Sequence, residues 1–456
     1  MSAERINAAL RDATDTQTVE IGPGALATVA EVFEQSFGDR TAIVVTDENI
    51  WAVAGEEVQR NLEAAGRDTA EPYIFPGKPT LYAGYDNIQI LVEALRPQDA
   101  IPVAVGSGTL NDIVKRAAYE LERPYMNVAT AASMDGYTAF GASIEKDNKK
   151  QTLTCPAPRA VVGDVEVLVN APERMTASGY ADLLGKVTAG ADWLVADALG
   201  VEPISQKVWS LVQDSLRDWT ERPAELRGGD QAAMDGLIEG LILSGLAMQS
   251  HQSSRPASGA EHQFSHLWEG EGLGRDLDPP LSHGFKVGVG SIAIAALFER
   301  VLERDLSNID VDALCASWPA WEDMEKSVRE AYSGSKLEQA AVNETQAKYI
   351  DADTLRERLE RLREVWPELR GKVEEQLMPA GELREQLRAA GCPTSPEEIG
   401  LSREEFKATY FRAQMLRRRY TILDLALETG ILDECVEELF APDGFWASDT
   451  ASQEIR

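Results

Sequence analysis

Short apolar runs alternate with amphipathic stretches between Arg40 and Val128, and few architectures satisfy that alternation. Arg40-Thr-Ala-Ile-Val-Val-Thr-Asp47 reads as a buried strand, and the stretch from Trp51 to Ala65 has helical spacing. Pro72-Tyr-Ile-Phe75 reads as a second strand, Tyr85 to Arg96 as a helix, and Ala100-Ile-Pro-Val-Ala-Val105 as a third strand. Asn111 to Glu122 is again helical, and Tyr125-Met-Asn-Val128 is a fourth strand. Strands that alternate with helices predict a parallel sheet with crossover helices. Ser143-Ile144, Gln151-Thr-Leu-Thr-Cys155 and Ala160-Val-Val162 are expected to form an extra extended ribbon closing this unit.

From Ala171 onward strand-like runs nearly vanish. Ser178 to Ala198, Val208 to Trp219, Ala232 to Ser250, Gly290 to Arg304 and Asp353 to Trp366 are amphipathic or apolar at helical spacing. The expected organisation is an α/β domain over residues 1–170 and an all-α domain over 171–456. Gly, Pro and charge cluster over Arg222–Gly229 and Glu269–Pro280, which predicts exposed loops there.

Charge and cysteine content exclude several functions. The net charge is −32, a field that repels a phosphate backbone, so nucleic-acid binding is not expected. An anionic membrane surface is disfavoured likewise, and no stretch approaches the roughly 18–20 apolar residues of a membrane helix. Any anionic substrate needs a local basic pocket. Cys155, Cys315, Cys392 and Cys435 lie far apart, with no C-x-x-C pair, which argues against a thiolate metal site or a disulfide framework. With no signal peptide evident at Met-Ser-Ala-Glu-Arg-Ile-Asn, the expected compartment is reducing cytoplasm.

The histidines carry the sharpest chemical signal. The chain has 4, and His251, His262, His266 and His283 all fall within one short window. His262 and His266 are four apart, on one face of a helix. Neutral imidazole is a common ligand of divalent metals, and two histidines plus a carboxylate with an open position make a Lewis-acid site. A lone histidine is more often packed or capping, but clustering favours a metal. Asp182 is the candidate carboxylate, because it lies in a small and apolar run where a metal would stabilise it. A helix N-cap or a surface acid is the alternative. Gly106-Ser-Gly-Thr-Leu-Asn-Asp112 joins a strand to a helix, where backbone N–H groups can approach a diphosphate. It is not a G-x-G-x-x-G fingerprint, and any tight strand–helix turn shares its form. Asp47 closes a strand where an acid can accept ribose hydroxyls, which tilts the cofactor toward NAD over NADP.

Together, Gly106–Asp112, Thr130-Ala-Ala-Ser-Met-Asp-Gly136, Ala181-Asp-Leu-Leu-Gly-Lys186, Ser254-Arg-Pro-Ala-Ser-Gly-Ala-Glu-His-Gln-Phe-Ser-His266 and His283-Gly-Phe-Lys-Val-Gly-Val-Gly290 resemble the iron-containing alcohol dehydrogenase and dehydroquinate-synthase-like superfamily. Within it the resemblance is to the bacterial type of sn-glycerol-1-phosphate dehydrogenase, and the segment from Glu398 through Arg419-Tyr-Thr-Ile-Leu-Asp-Leu shares it. The resemblance implies a Rossmann-like nucleotide-binding domain followed by a helical domain, with the site in the cleft between. It implies NAD, with NADP possible, and one divalent metal (zinc, nickel or iron) on Asp182, His262 and His283. It implies cofactor contacts from Gly106, Ser107, Gly108, Thr109, Thr130 and Ser133, and a substrate contact from Asp135. It further implies reversible reduction of dihydroxyacetone phosphate to sn-glycerol-1-phosphate by a homodimer. Asp135 or His266 is the expected proton relay. Lys186, Arg255 and Lys286 lie in segments suited to the phosphate, with Lys286 equally readable as a solvated lysine. A polyol dehydrogenase, a dehydroquinate-synthase-like lyase and a non-catalytic binding protein are the alternatives.

Departures from the family pattern are Ala139 in place of a serine, His283-Gly-Phe in place of His-Gly-Glu, and a longer stretch from Gln206 to Gly229.

Overall fold

The computed structural model describes residues 2–146 and 149–447. Its strands are β1 (Thr18–Gly22), β2 (Thr41–Asp47), β3 (Tyr73–Phe75), β4 (Ala100–Gly106), β5 (Met126–Ala129), β6 (Ala142–Lys146), β7 (Lys149–Leu153) and β8 (Ala160–Asp164). A parallel sheet runs in the order β1-β8-β5-β4-β2-β3. Every residue of β4 is buried, and β2 is buried except at its two ends, as expected of parallel strands covered on both faces.

The helices cover the sheet on opposite sides. Helices Val29–Phe37 and Glu56–Ala64 pack Phe33, Val58 and Leu62 against Val44 and Val103 on one face. Helices Tyr85–Leu95 and Gly108–Glu120 pack Ile88, Leu91 and Ile113 against Val45 and Ala104 on the other. The neighbouring strands β2 and β4 thus send their following helices to opposite faces. Their register, with Val45 opposite Ala104, brings Asp47 and Gly106 to the same edge. Open α/β sheets take ligands at this edge, the carboxyl ends of the strands.

Three local expectations are corrected. The Ala160–Val162 run is not part of a ribbon: β8 lies inside the main sheet between β1 and β5, and all its residues are buried. Only β6 and β7 form the separate antiparallel pair. The Ser178–Ala198 stretch is two helices, Glu173–Leu184 and Lys186–Ala198, meeting at Gly185, where a Cβ would lie 2.9 Å from Val287. The Arg222–Gly229 stretch contains a short helix, Pro223–Arg227, begun by proline at its first turn. The edge strand β1 has no counterpart in the sequence reading.

After β8, every regular element among the described residues is helical. Leu184, Val187, Leu241, Phe264, Ile292, Phe298, Leu359 and Trp366 join these helices in one core. Burial of a side chain such as Phe298 contributes about 1.5–3 kcal/mol. Two glycines set the approach of sheet loops to helices. A Cβ on Gly179 would collide with the carbonyl of Ala132, and one on Gly284 with the carbonyl of Ser178. The loop after β5, the Glu173–Leu184 helix and the start of the His283–Leu302 helix are therefore backbone-to-backbone neighbours.

Candidate metal and cofactor site

Asp182 stands in the last turn of the Glu173–Leu184 helix, His262 in the first turn of the Ala260–Glu271 helix, and His283 at the first position of the His283–Leu302 helix. One ligand atom from each lies within 4.8 Å of the others. Side-chain exposure rises from 0 % at Asp182 to 7 % at His262 and 27 % at His283, so the cluster opens on the His283 side.

Both imidazoles are oriented by carboxylates. His262 Nδ1 is 2.7 Å from Glu261 Oε1, and His283 Nδ1 is 3.0 Å from Glu269 Oε1 and 3.2 Å from Ser265 Oγ. These contacts engage Nδ1 of each ring and leave Nε2 as the nitrogen available to a metal once it carries no proton. Glu261 is itself fixed by Gly259 N–H at 2.6 Å and by Thr188 Oγ at 3.0 Å. The donor set, two imidazole nitrogens and one carboxylate oxygen, fits a divalent ion with room for further ligands.

Charge at the site is tightly coupled. Burial favours a neutral Asp182, but the Lys186 ammonium overcomes it and holds the carboxyl well below the usual carboxylate range. Burial also opposes charge on His262, but its hydrogen bonds to Asp182 and Glu261 prevail and raise it to about 9. A metal held by His262 would have to replace one of its ring protons. His266 is neutral, since burial and then Arg417 push its pKa far down. Arg417 Nε donates to His266 Nδ1 at 3.3 Å, which places the remaining ring proton on Nε2.

The sheet edge supplies a second set of groups. Ser107 caps the Gly108–Glu120 helix, so the Gly106–Thr109 loop presents backbone N–H groups at a helix N-terminus. A Cβ on Gly106 would lie 2.5 Å from Leu110, and one on Gly108 would lie 2.5 Å from Met134. Thr130 follows β5, and its buried hydroxyl has no hydrogen-bond partner in the protein. A buried polar atom left unpaired beside a glycine loop fits a site whose partner is a bound cofactor. Asp47 Oδ1 accepts from Asn49 and Ile50 N–H, so the acid at the end of β2 also caps the next turn. Ser133 Oγ lies 3.1 Å from the Tyr137 hydroxyl.

The structure brings Asp135 to the metal cluster. Its backbone N–H donates to Asp182 Oδ2 at 3.1 Å, and its carboxylate meets Lys186 Nζ at 2.9 Å and Ser244 Oγ at 2.9 Å. The cations expected to hold phosphate are placed differently. Lys186 has 0 % side-chain exposure and is sealed between Asp182, at 2.6 Å, and Asp135. Its ammonium therefore joins the two carboxylates. Arg255 is also fully buried, and its guanidinium is committed to the carbonyls of Tyr420 at 2.9 Å and Asp192 at 2.6 Å. Its Nε lies 3.5 Å from Glu202. Lys286 is buried with Nζ on the Leu281 carbonyl at 3.1 Å and 3.9 Å from Glu269.

The sequence reading passed over four residues that shape this site. Glu261 adjoins His262 in sequence, and Glu269 lies seven residues beyond His262 on the same helix face, a spacing that could have flagged both. Lys115, in an apolar helix, donates to the carbonyls of Gly136, Ala139 and Gly141 at 3.0, 2.9 and 3.0 Å, which fixes the loop bearing Asp135. Arg417 gave no periodic signal.

Residues 20–172 match the family described as iron-containing alcohol dehydrogenase. A glycerol-1-phosphate dehydrogenase of Bacillus licheniformis, named as NAD(P)+-linked, is 30% identical over 421 residues, covering 91% of this chain and 90% of the relative. The Bacillus subtilis protein of the same name is 31% identical, with 86% of each chain covered. Among solved structures, a probable glycerol dehydrogenase from Sinorhizobium meliloti aligns with TM-score 0.57 at 16% identity, covering 92% of this chain and 98% of that one. That likeness shows the fold.

Proposed function

This chain belongs to the glycerol-1-phosphate dehydrogenase family, and we propose that it catalyses the reversible NAD(P)H-linked reduction of dihydroxyacetone phosphate to sn-glycerol-1-phosphate. The observation that carries the reading is the convergence of Asp182, His262 and His283 to within 4.8 Å, with both imidazoles engaged at Nδ1 by a carboxylate. Those three residues would hold a zinc, nickel or iron ion. When bound, the metal supplies Lewis-acid polarisation of the ketone, and the reduced nicotinamide supplies the hydride.

The chain's own residues do the remaining work. Gly106, Ser107, Gly108 and Thr109 would hold the cofactor diphosphate at the helix N-terminus, Thr130 and Ser133 would offer hydroxyls to the cofactor, and Asp47 would accept the ribose hydroxyls. Asp135 accepts a hydrogen bond from the free hydroxyl of the substrate, while its own position is fixed by Lys186 and Ser244. His266 donates its Nε2 proton toward the oxygen that gains charge, and the Arg417 bond to Nδ1 keeps that proton on Nε2. Lys286, beside Glu269 at the start of the His283–Leu302 helix, supplies positive charge near the phosphate.

We further propose a division of the chain at residue 170, between nucleotide binding and metal and substrate binding. The buried, unbridged Cys155, Cys315, Cys392 and Cys435 support a reducing compartment, the cytoplasm. None of the described helices is long and apolar enough to cross a membrane. A homodimer is the proposed assembly, on the family resemblance alone. The test is NADH and NADPH oxidation with dihydroxyacetone phosphate against dihydroxyacetone. Preference for the phosphorylated ketone supports the reading, and a preference for dihydroxyacetone moves the chain to the polyol dehydrogenases.

A further inference from the structure

Three consecutive arginines follow the Arg403–Leu416 helix, and each has a different fate. Arg418 turns outward to Glu344, with Nη2 and Oε1 at 2.7 Å. Arg419 binds the Ser258 carbonyl at 2.8 Å and Ser254 Oγ at 2.9 Å. Arg417 turns inward, and its Nε–H donates to His266 Nδ1 at 3.3 Å. That is the single hydrogen bond of its guanidinium among the described residues, and it forms no ion pair there.

Arg304, Arg329, Arg358 and Arg412 each face a carboxylate. Arg417 is partly buried, and desolvation opposes its charge with Glu344 and Glu269 acting only at a distance. A desolvated guanidinium without a counter-ion is unfavourable unless a ligand supplies the anion.

Its position is rigid and close to the chemistry. Arg255 Nη1 holds the Tyr420 carbonyl at 2.9 Å, Gln263 Nε2 holds the Arg419 carbonyl at 3.1 Å, and Asp192 Oδ1 accepts from Ile422 N–H at 2.6 Å. The ring of His266 lies 6.0 Å from that of His262 and 6.2 Å from that of His283. Arg417 is therefore one side chain removed from the Asp182, His262 and His283 cluster, within the reach of a short ligand held there.

We infer that Arg417 binds the phosphoryl group of the substrate through its terminal Nη donors and sets the preference for a phosphorylated three-carbon ketone over the free polyol. The planar fork of a guanidinium matches phosphate oxygens, and this chain of net charge −32 needs such a local cation. The inference rests on the functional reading above and names the residue that enforces it.

The test compares wild type, Arg417→Gln and Arg417→Lys on dihydroxyacetone phosphate and dihydroxyacetone, with inorganic phosphate as a competing anion. In Arg417→Gln the ratio of kcat/KM for the phosphorylated over the free ketone falls about 30-fold, the scale of one charge-assisted hydrogen bond, while any loss through the His266 tautomer is shared by both ketones and cancels in that ratio. Inhibition by inorganic phosphate weakens in step, and Arg417→Lys recovers part of both. An unchanged ratio, or equal loss on both ketones, overturns the assignment. Wild-type protein without a preference for the phosphorylated ketone overturns the functional reading instead. Phosphate affinity in Arg417→Gln then decides the residue alone: weakened binding upholds it and unchanged binding overturns it.

Discussion

The ammonium of Lys186 lies 2.6 Å from Oδ1 of Asp182, one helical turn away, and both side chains are fully buried. The carboxylate proposed as a metal ligand is thus already neutralised before any ion arrives. Lys186 also reaches Asp135, so one buried cation joins the metal cluster to the substrate-facing loop. Its own protonated form is favoured, because the two carboxylates outweigh the burial that opposes its charge.

Removing that cation separates the metal-free and metal-bound proteins. Lys186→Met leaves Asp182 and Asp135 without their shared partner, and breaking a buried pair costs about 3–5 kcal/mol. The loss in Tm is expected to be large without metal and smaller with saturating zinc, since the ion restores positive charge and binds only the folded state. Thermal unfolding with and without metal checks this. Equal losses in the two conditions contradict it.

Metal affinity depends on pH in a set direction. His262 is raised to about 9, so below that pH an incoming ion displaces a proton from Nε2. Apparent affinity is expected to drop roughly tenfold per unit as pH falls from 9 toward 7, and to level off above 9. For the metal-free fold the sign is opposite. The folded pKa lies above the unfolded value of 6.5, so the proton on His262 stabilises fully below pH 6.5, and that stability is lost as pH rises through about 9. Calorimetric titration and unfolding across this range measure both slopes.

Glu261 and Glu269 act through the histidines they hold. Glu261→Gln and Glu269→Gln are each expected to weaken metal binding about 10- to 100-fold. The bound metal stays in place at saturation, so kcat falls less than affinity. Competition with a chelator reads the affinities. Unchanged affinity in both variants contradicts the orientation argument.

Thr130→Val tests the cofactor pocket independently of the metal. The buried hydroxyl of Thr130 has no protein partner, so its replacement by a methyl breaks no hydrogen bond in the empty protein. Stability without ligand is expected to hold or rise, while KM for NADH increases about tenfold, one lost hydrogen bond's worth. Loss of stability with unchanged KM contradicts a cofactor role.

The fold was legible where its physics is local. Buried parallel strands are continuous apolar runs, so β2, β4 and β5 stand out, and so does the helical spacing from Ala232 to Ser250. The edge strand β1 did not, because its five residues are none of them buried and carry no such run. β8 was visible as a strand but not as a sheet member, since pairing between β1 and β5 depends on contacts far apart in sequence. At the site, the histidine cluster was visible because so few histidines crowd one window. Their carboxylate partners Glu261 and Glu269 were marked only by sharing a helix with His262, a weak sign among 76 acidic residues. Arg255 and Lys186 sit in the expected segments, yet their burial among carbonyls and carboxylates is a property of packing alone.

The central claim is that Asp182, His262 and His283 hold the metal on which turnover depends. The most direct test is NADH oxidation with dihydroxyacetone phosphate by metal-stripped protein resupplied with zinc, nickel or iron, beside His262→Ala treated in the same way. Turnover that returns in the wild type with at least one of these metals, and stays absent in His262→Ala, is the expected result. Turnover that persists after stripping, or that metal restores equally in His262→Ala, contradicts the account.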